Sequence, residues 1–156
     1  MTSQSTDEVV VRRSVIVPLG PVKAFELFTG RMTEFWPPEH SIGQADIAEV
    51  VVEPREGGRW FERGVDGSEC VWGEVARWEP PGRVVLVWQI NAEWQHDPSL
   101  VTEVEIDFVP EGEGTRVELT HRHLEQYGDQ AAMMRQVFGS PGGWAGTLDR
   151  FTAVAG

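Results

Sequence analysis

Residues 100–122 read LVTEVEIDFVPEGEGTRVELTHR, and they decide the fold. Strict alternation over residues 100–109 puts Thr102, Val104, Ile106 and Phe108 on one face and Glu103, Glu105 and Asp107 on the other. A side-chain period of two is the signature of a strand with one dry face. Glu111-Gly112-Glu113-Gly114 is turn chemistry, and after it the alternation resumes over 114–122. Thr115, Val117, Leu119 and His121 then share one face, with Arg116, Glu118, Thr120 and Arg122 opposite. Two such runs joined by a short Gly-rich link form an antiparallel hairpin. Val104, Ile106, Phe108, Val117 and Leu119 are therefore expected to be buried, and Glu103, Glu105 and Asp107 exposed.

The same pattern extends toward the N-terminus. Strands are expected at 8–17, 46–53, 58–63, 69–79 and 83–91, with breaks at Glu56-Gly57-Gly58, Asp66-Gly67 and Pro80-Pro81-Gly82. In the strand at 83–91, Val84, Leu86, Trp88 and Ile90 form the apolar set. Gly20-Pro21 opens a helix carrying Val22, Phe25, Leu27 and Phe28, and Gly30 stops it. A short helical turn fits 31–36 before Pro37-Pro38. Residues 129–138 read as a helix, Gly139-Ser140-Pro141 interrupts, and 142–154 form the last helix. There Trp144, Leu148 and Phe151 recur at i, i+4 and i+7, a stripe suited to the sheet's dry face. The class is α+β: a seven-stranded curved antiparallel sheet with two short helices after strand 1 and a helix at the C-terminus.

The 156 residues fit one domain, 8–156, behind an extended or disordered N-terminus at 1–7. With 13 basic and 25 acidic side chains the net charge is −12, which disfavours nucleic acid and anionic membrane surfaces as partners. Cys70 is the one cysteine, so no intrachain disulfide can form. Residues 1–8 lack a basic and apolar leader pattern, and no run is long enough to span a bilayer. A cytoplasmic location is expected.

Seven tryptophans stand beside one tyrosine. Large rings fill cores or line apolar cavities. The expected cavity lies between sheet and C-terminal helix. Its wall is assigned to Trp60, Trp88 and Phe108 from the sheet and to Trp144, Leu148 and Phe151 from the helix, with His121 as a polar group. His121 shares parity with Val117 and Leu119, which leaves two readings: a hydrogen-bonded structural imidazole, or a pocket group that orients a ligand or moves a proton. Glu62 shares parity with Trp60, but the short strand leaves open whether Trp60 and Glu62 or Phe61 face inward. Glu62 and His121 are the candidate acid–base pair if the protein is an enzyme. The spacing of His121 and His123 is weak grounds for a metal site without further ligands. There is no nucleophile elbow, zincin or Walker sequence, and no cofactor fingerprint; no cofactor or metal is expected.

An ordered set of short pieces resembles a known family. They are Pro21-Val22-Lys23-Ala24-Phe25, Phe35-Trp36, Glu56-Gly57-Gly58-Arg59-Trp60, Trp72-Gly73-Glu74-Val75, Glu79-Pro80-Pro81, Val85 to Trp88, Gly114-Thr115-Arg116-Val117, Leu119-Thr120-His121, and Gly143-Trp144 with Leu148. The chain is similar to the activator of Hsp90 ATPase homologue-like family of the START/Bet v 1-like (SRPBCC) superfamily, in its small stand-alone bacterial form. The resemblance spans about residues 8–154. It implies the helix-grip fold, a seven-stranded sheet around a long C-terminal helix that often encloses an apolar cavity. The co-chaperone of that name carries a further N-terminal domain for Hsp90, for which this chain leaves no room, so an Hsp90 partnership is not expected.

Fold alone does not choose among activities. The leading reading is a binder of a small apolar or aromatic molecule. The alternatives are a cyclase or dehydratase acting on an aromatic or polyketide-like substrate, and a chaperone or regulator partner using the acidic face from Glu103 to Glu118. A homodimer is compatible with each.

Overall fold

The structure, a computed structural model, describes residues 10–37, 40, 42, 43 and 45–156. The expected N-terminal segment 1–7 lies outside the described residues. The deciding hairpin forms as its alternation requires. β6 (Thr102–Glu111) and β7 (Gly114–Arg122) pair antiparallel with Val104 opposite His121, Ile106 opposite Leu119 and Phe108 opposite Val117, all buried. Gly112 takes the left-handed conformation the turn needs, with φ +61°.

The other strands are β1 (Val11–Val17), β2 (Ile47–Val52), β3 (Arg59–Gly64), β4 (Glu69–Glu79) and β5 (Arg83–Trp88). β2 to β7 run as a meander, and β1 closes beside β7, giving the order β1-β7-β6-β5-β4-β3-β2, antiparallel throughout. The fifth strand stops at Trp88 rather than reaching 91. Beyond it the chain turns back on itself, leaving Ile90 only an isolated bridge to His96.

The outer face differs from expectation in degree. Glu103, Glu105 and Asp107 point outward but are half-buried. Cross-strand arginines lie over them: Arg83 Nε reaches Asp107 at 2.9 Å, and Arg122 reaches Glu103 at 3.1 Å and Glu105 at 2.8 Å. Opposite charges across strands add a little each, and salt screens them. Phe61 also points outward yet is buried, because the Arg59 guanidinium lies 4.2 Å and that of Arg63 5.5 Å from its ring centroid.

α1 (Pro21–Gly30) buries Ala24, Phe25, Leu27 and Phe28, and a 3-10 turn follows at Met32–Glu34. The C-terminal arm is a 3-10 segment (Leu124–Gln130), then α2 (Ala131–Gly139), then α3 (Trp144–Ala155). The helix expected from 129 begins at 131, after a break at Gly128, where φ is +61°. α3 turns Trp144, Thr147, Leu148 and Phe151 inward. Phe151 meets Phe28 at 5.4 Å and Phe35 at 5.1 Å, and Phe28 meets Phe108 at 5.9 Å. These edge-on rings make one half of the core solid. Phe151→Ala is therefore expected to cost about 3–5 kcal/mol in urea unfolding. Val22→Ala, on the exposed side of α1, should stay within about 0.5 kcal/mol of the parent.

Candidate functional site

Beside the other half of the core lies a partly open cavity of about 370 Å³, between β5, the α2–α3 arm and residues 36, 40 and 42. Indoles of Trp36, Trp88 and Trp144, with Phe138 and Ile90, form its walls; Trp94 stands at its edge, and His40 and Thr147 supply polar side chains. Pockets that hold small organic molecules begin at about this size.

Its walls follow from the strand register. Trp60, Gly73 and Trp88 stand side by side on β3, β4 and β5. The middle position has no room for a side chain, since a Cβ on Gly73 would lie 1.6 Å from the Val87 carbonyl oxygen. Across it the rings of Trp60 and Trp88 approach to 5.4 Å. The β3–β4 register shifts between Trp60 and Phe61, which leaves Trp72 as the extra residue of a bulge. Trp72 packs against Trp36 at 4.6 Å, and Trp144 comes from α3 to within 5.9 Å of Trp88.

Glu62 lies inside with Trp60, at 1% exposure, which settles the orientation the sequence left open. Its carboxylate accepts hydrogen bonds from the Trp72 indole at 2.9 Å and from the backbone N–H groups of Ile42 at 2.7 Å and Gly43 at 3.4 Å. It thus ties the segment carrying His40 and Ile42 to the sheet. A carboxylate so engaged is an anchor, held by charge-assisted bonds.

His121 is fully buried, and both ring nitrogens are engaged. Trp144 Nε1–H donates to Nδ1 at 3.0 Å, so Nε2 carries the proton and gives it to Thr102 Oγ1 at 2.9 Å. The Thr102 hydroxyl donates in turn to the Trp88 carbonyl at 2.8 Å. The chain fixes the tautomer and holds the Trp144 indole on the cavity wall. Burial pushes the His121 pKa down to about 3, so the ring is neutral. The Nε1–H groups of Trp60 and Trp88 lack an acceptor at hydrogen-bond geometry. That of Trp88 leans toward the Tyr127 hydroxyl, which itself donates to the Ile90 carbonyl at 2.6 Å.

Of the residues the sequence assigned to the cavity, Trp88 and Trp144 are on its wall. Trp60 packs against Trp88 instead of facing the space, and His121 supports Trp144. Phe108, Leu148 and Phe151 are not wall residues: they are packed into the solid, phenylalanine-rich half of the core. Glu62 and His121 both point inward, yet neither lines the cavity, so they do not form an acid–base pair around one ligand atom there. Missing from the sequence assignment were Trp36, His40, Trp94, Phe138 and Thr147. Trp36 alone carried a usable signal, as the tryptophan after the first helix.

A curled antiparallel sheet gripping a C-terminal helix over an apolar cavity places this protein in the helix-grip class. The chain belongs to the Activator of Hsp90 ATPase homolog 1-like family, whose model matches residues 21–156. Among solved structures it is similar to the anthrahydroquino-γ-pyrone synthase Txn09, at 41% identity over 93% of this chain and 96% of that one, with a TM-score of 0.65. It is also similar to CalC, a self-sacrificing resistance protein from Micromonospora echinospora, at 29% identity over 94% and 93% of the two chains and a TM-score of 0.70. The Aha1 dimer from Colwellia psychrerythraea shares the fold at 14% identity, covering 94% and 96%, with a TM-score of 0.62. A search of curated protein sequences gave no significant match. Among the described residues, no helix is long and apolar enough to cross a membrane.

The His121 network carries a pH signature. Its folded pKa of about 3 lies below the ordinary 6.5, so below pH 6.5 the unfolded chain binds a proton that the native chain refuses. The contribution is whole above pH 6.5 and is lost progressively as pH falls toward 3. The stability difference between the parent and His121→Leu, from urea melts, should narrow between about pH 7 and about pH 4. A constant difference would mean that His121 takes up its proton as readily in the native chain as in the unfolded one.

Proposed function

We propose that the protein binds a planar, fused-ring aromatic molecule of polyketide type in the tryptophan-walled cavity. The observation that carries this reading is the wall itself. Flat faces of Trp36, Trp88, Trp144 and Phe138 surround the space, with His40 and Thr147 to orient an oxygen-bearing ligand. The 41% identity to a synthase of an anthrahydroquinoid product supports the ligand class. The test is calorimetric titration with 1,8-dihydroxyanthraquinone. Saturable one-to-one binding is expected, abolished by Val137→Trp, which fills the space from α2. Heat without saturation, or binding unchanged in Val137→Trp, would refute the site.

A second reading, a cyclase-type enzyme on such a ligand, is favoured by that same relative and by one placement. Among the described residues, His40 is the titratable side chain on the cavity wall, whereas Glu62 and His121 hold protein groups. In this reading the walls fold the substrate into reacting geometry and exclude water, and His40 moves the proton. A suitable substrate is an anthrahydroquinone bearing a 1,3-diketone side chain. Its phenol oxygen closes on a ketone, and loss of water gives a γ-pyrone. His40→Ala is expected to slow ring closure by about 10²- to 10⁴-fold while leaving ligand affinity within a few-fold. Equal turnover in the variant would remove His40 from the chemistry.

A further inference from the structure

Among the described wall residues of the cavity, Trp94 is both exposed and conformationally strained. It sits in the β5–β6 connection, 45% exposed, with φ at +61°, a backbone region that L-residues with large side chains avoid. The connection is a small self-contained hairpin. Asn91 N donates to the Gln95 carbonyl at 2.9 Å, Trp94 N donates to the Asn91 carbonyl at 2.9 Å, and the Asn91 side-chain oxygen accepts from the N–H groups of Glu93 and Gln95. These bonds hold the turn whatever the indole does. The ring itself meets Phe138 only edge-on, at 6.5 Å and 86°. The indole therefore stays largely open to solvent at the edge of a cavity whose other indoles are buried.

We infer that Trp94 is the ligand-selecting clamp of the cavity: its indole lies down over the exposed face of a flat aromatic ligand and holds it against the inner walls. This rests on the ligand class proposed above and adds a residue, a motion and a selectivity. An electron-rich indole stacks best on an electron-poor planar ring, so a quinone is favoured over a non-planar molecule of equal bulk. Burying the indole against the ligand also removes apolar surface from water that the free protein leaves exposed.

The side chain is on a loop, so its variants test binding without threatening the core. Calorimetry and stopped-flow dissociation with 1,8-dihydroxyanthraquinone would compare the parent with Trp94→Ala, Trp94→Leu and Trp94→Phe. The expected result is an affinity about 5- to 10-fold weaker for Ala and Leu, carried by faster dissociation, with Phe recovering most of it and thermal midpoints unchanged. Leu as good as the parent would reduce Trp94 to an apolar cover and overturn stacking. All three equal to the parent would overturn the clamp and leave the cavity reading intact. No binding by the parent would overturn the cavity reading, and the clamp with it.

Discussion

Between Trp60 and Trp88 the sheet can carry no side chain, because at Gly73 the neighbouring strand's backbone occupies the place of a Cβ. Everything distinctive about the site depends on that gap. Two indoles can lean toward one another over a glycine, and a third, Trp72, is turned in by the bulge beside it. Indoles bring large flat area with little rotamer freedom, so they make rigid walls. They also bring an N–H that needs an acceptor once water is gone.

That need explains the two ionisable groups found inside. Glu62 accepts a hydrogen bond from the Trp72 indole N–H, and His121 accepts one from that of Trp144. An unmatched buried donor costs about 1–3 kcal/mol, so the acceptors brought in for Trp72 and Trp144 stabilise those two indoles, while Trp60 and Trp88 lack one. Each acceptor has a second duty. Glu62 also holds the backbone of Ile42 and Gly43, and His121 donates to the Thr102 hydroxyl, which donates to the Trp88 carbonyl. The same carboxylate and imidazole that the sequence offers as an acid–base pair therefore hold indoles and backbone in place.

The sheet was legible because alternation is a property of single strands: the parities read from 100–109 and 114–122 are those of β6 and β7. Parity gives a face but not a depth along it, and Phe108, Leu148 and Phe151 stand away from the pocket for that reason. They share a face with Trp88 and Trp144 but lie among the phenylalanines of α1 and the following turn. Glu62 was ambiguous because Phe61 is buried too, by arginine side chains on the outer face that no local pattern announces. Trp94 stands in a loop without periodicity, and Phe138 reaches the cavity only through the angle between α2 and α3. Such positions are set by tertiary geometry.

That angle completes the account of why a hollow persists in one half of the core. α2 ends at Gly139 and α3 begins at Trp144, and a Cβ on Gly143 would lie 2.4 Å from the carbonyl oxygens of Val137 and Phe138. The elbow is therefore as tight as glycine allows, and Gly142 and Gly143 face the cavity with no side chain. Beside them the Trp144 indole is pinned by His121 and does not swing across to close the space. A core collapses onto a void when its walls can move. Here the Trp144 indole is hydrogen-bonded in place, and Gly142 and Gly143 send no side chain into the space, so the void is retained.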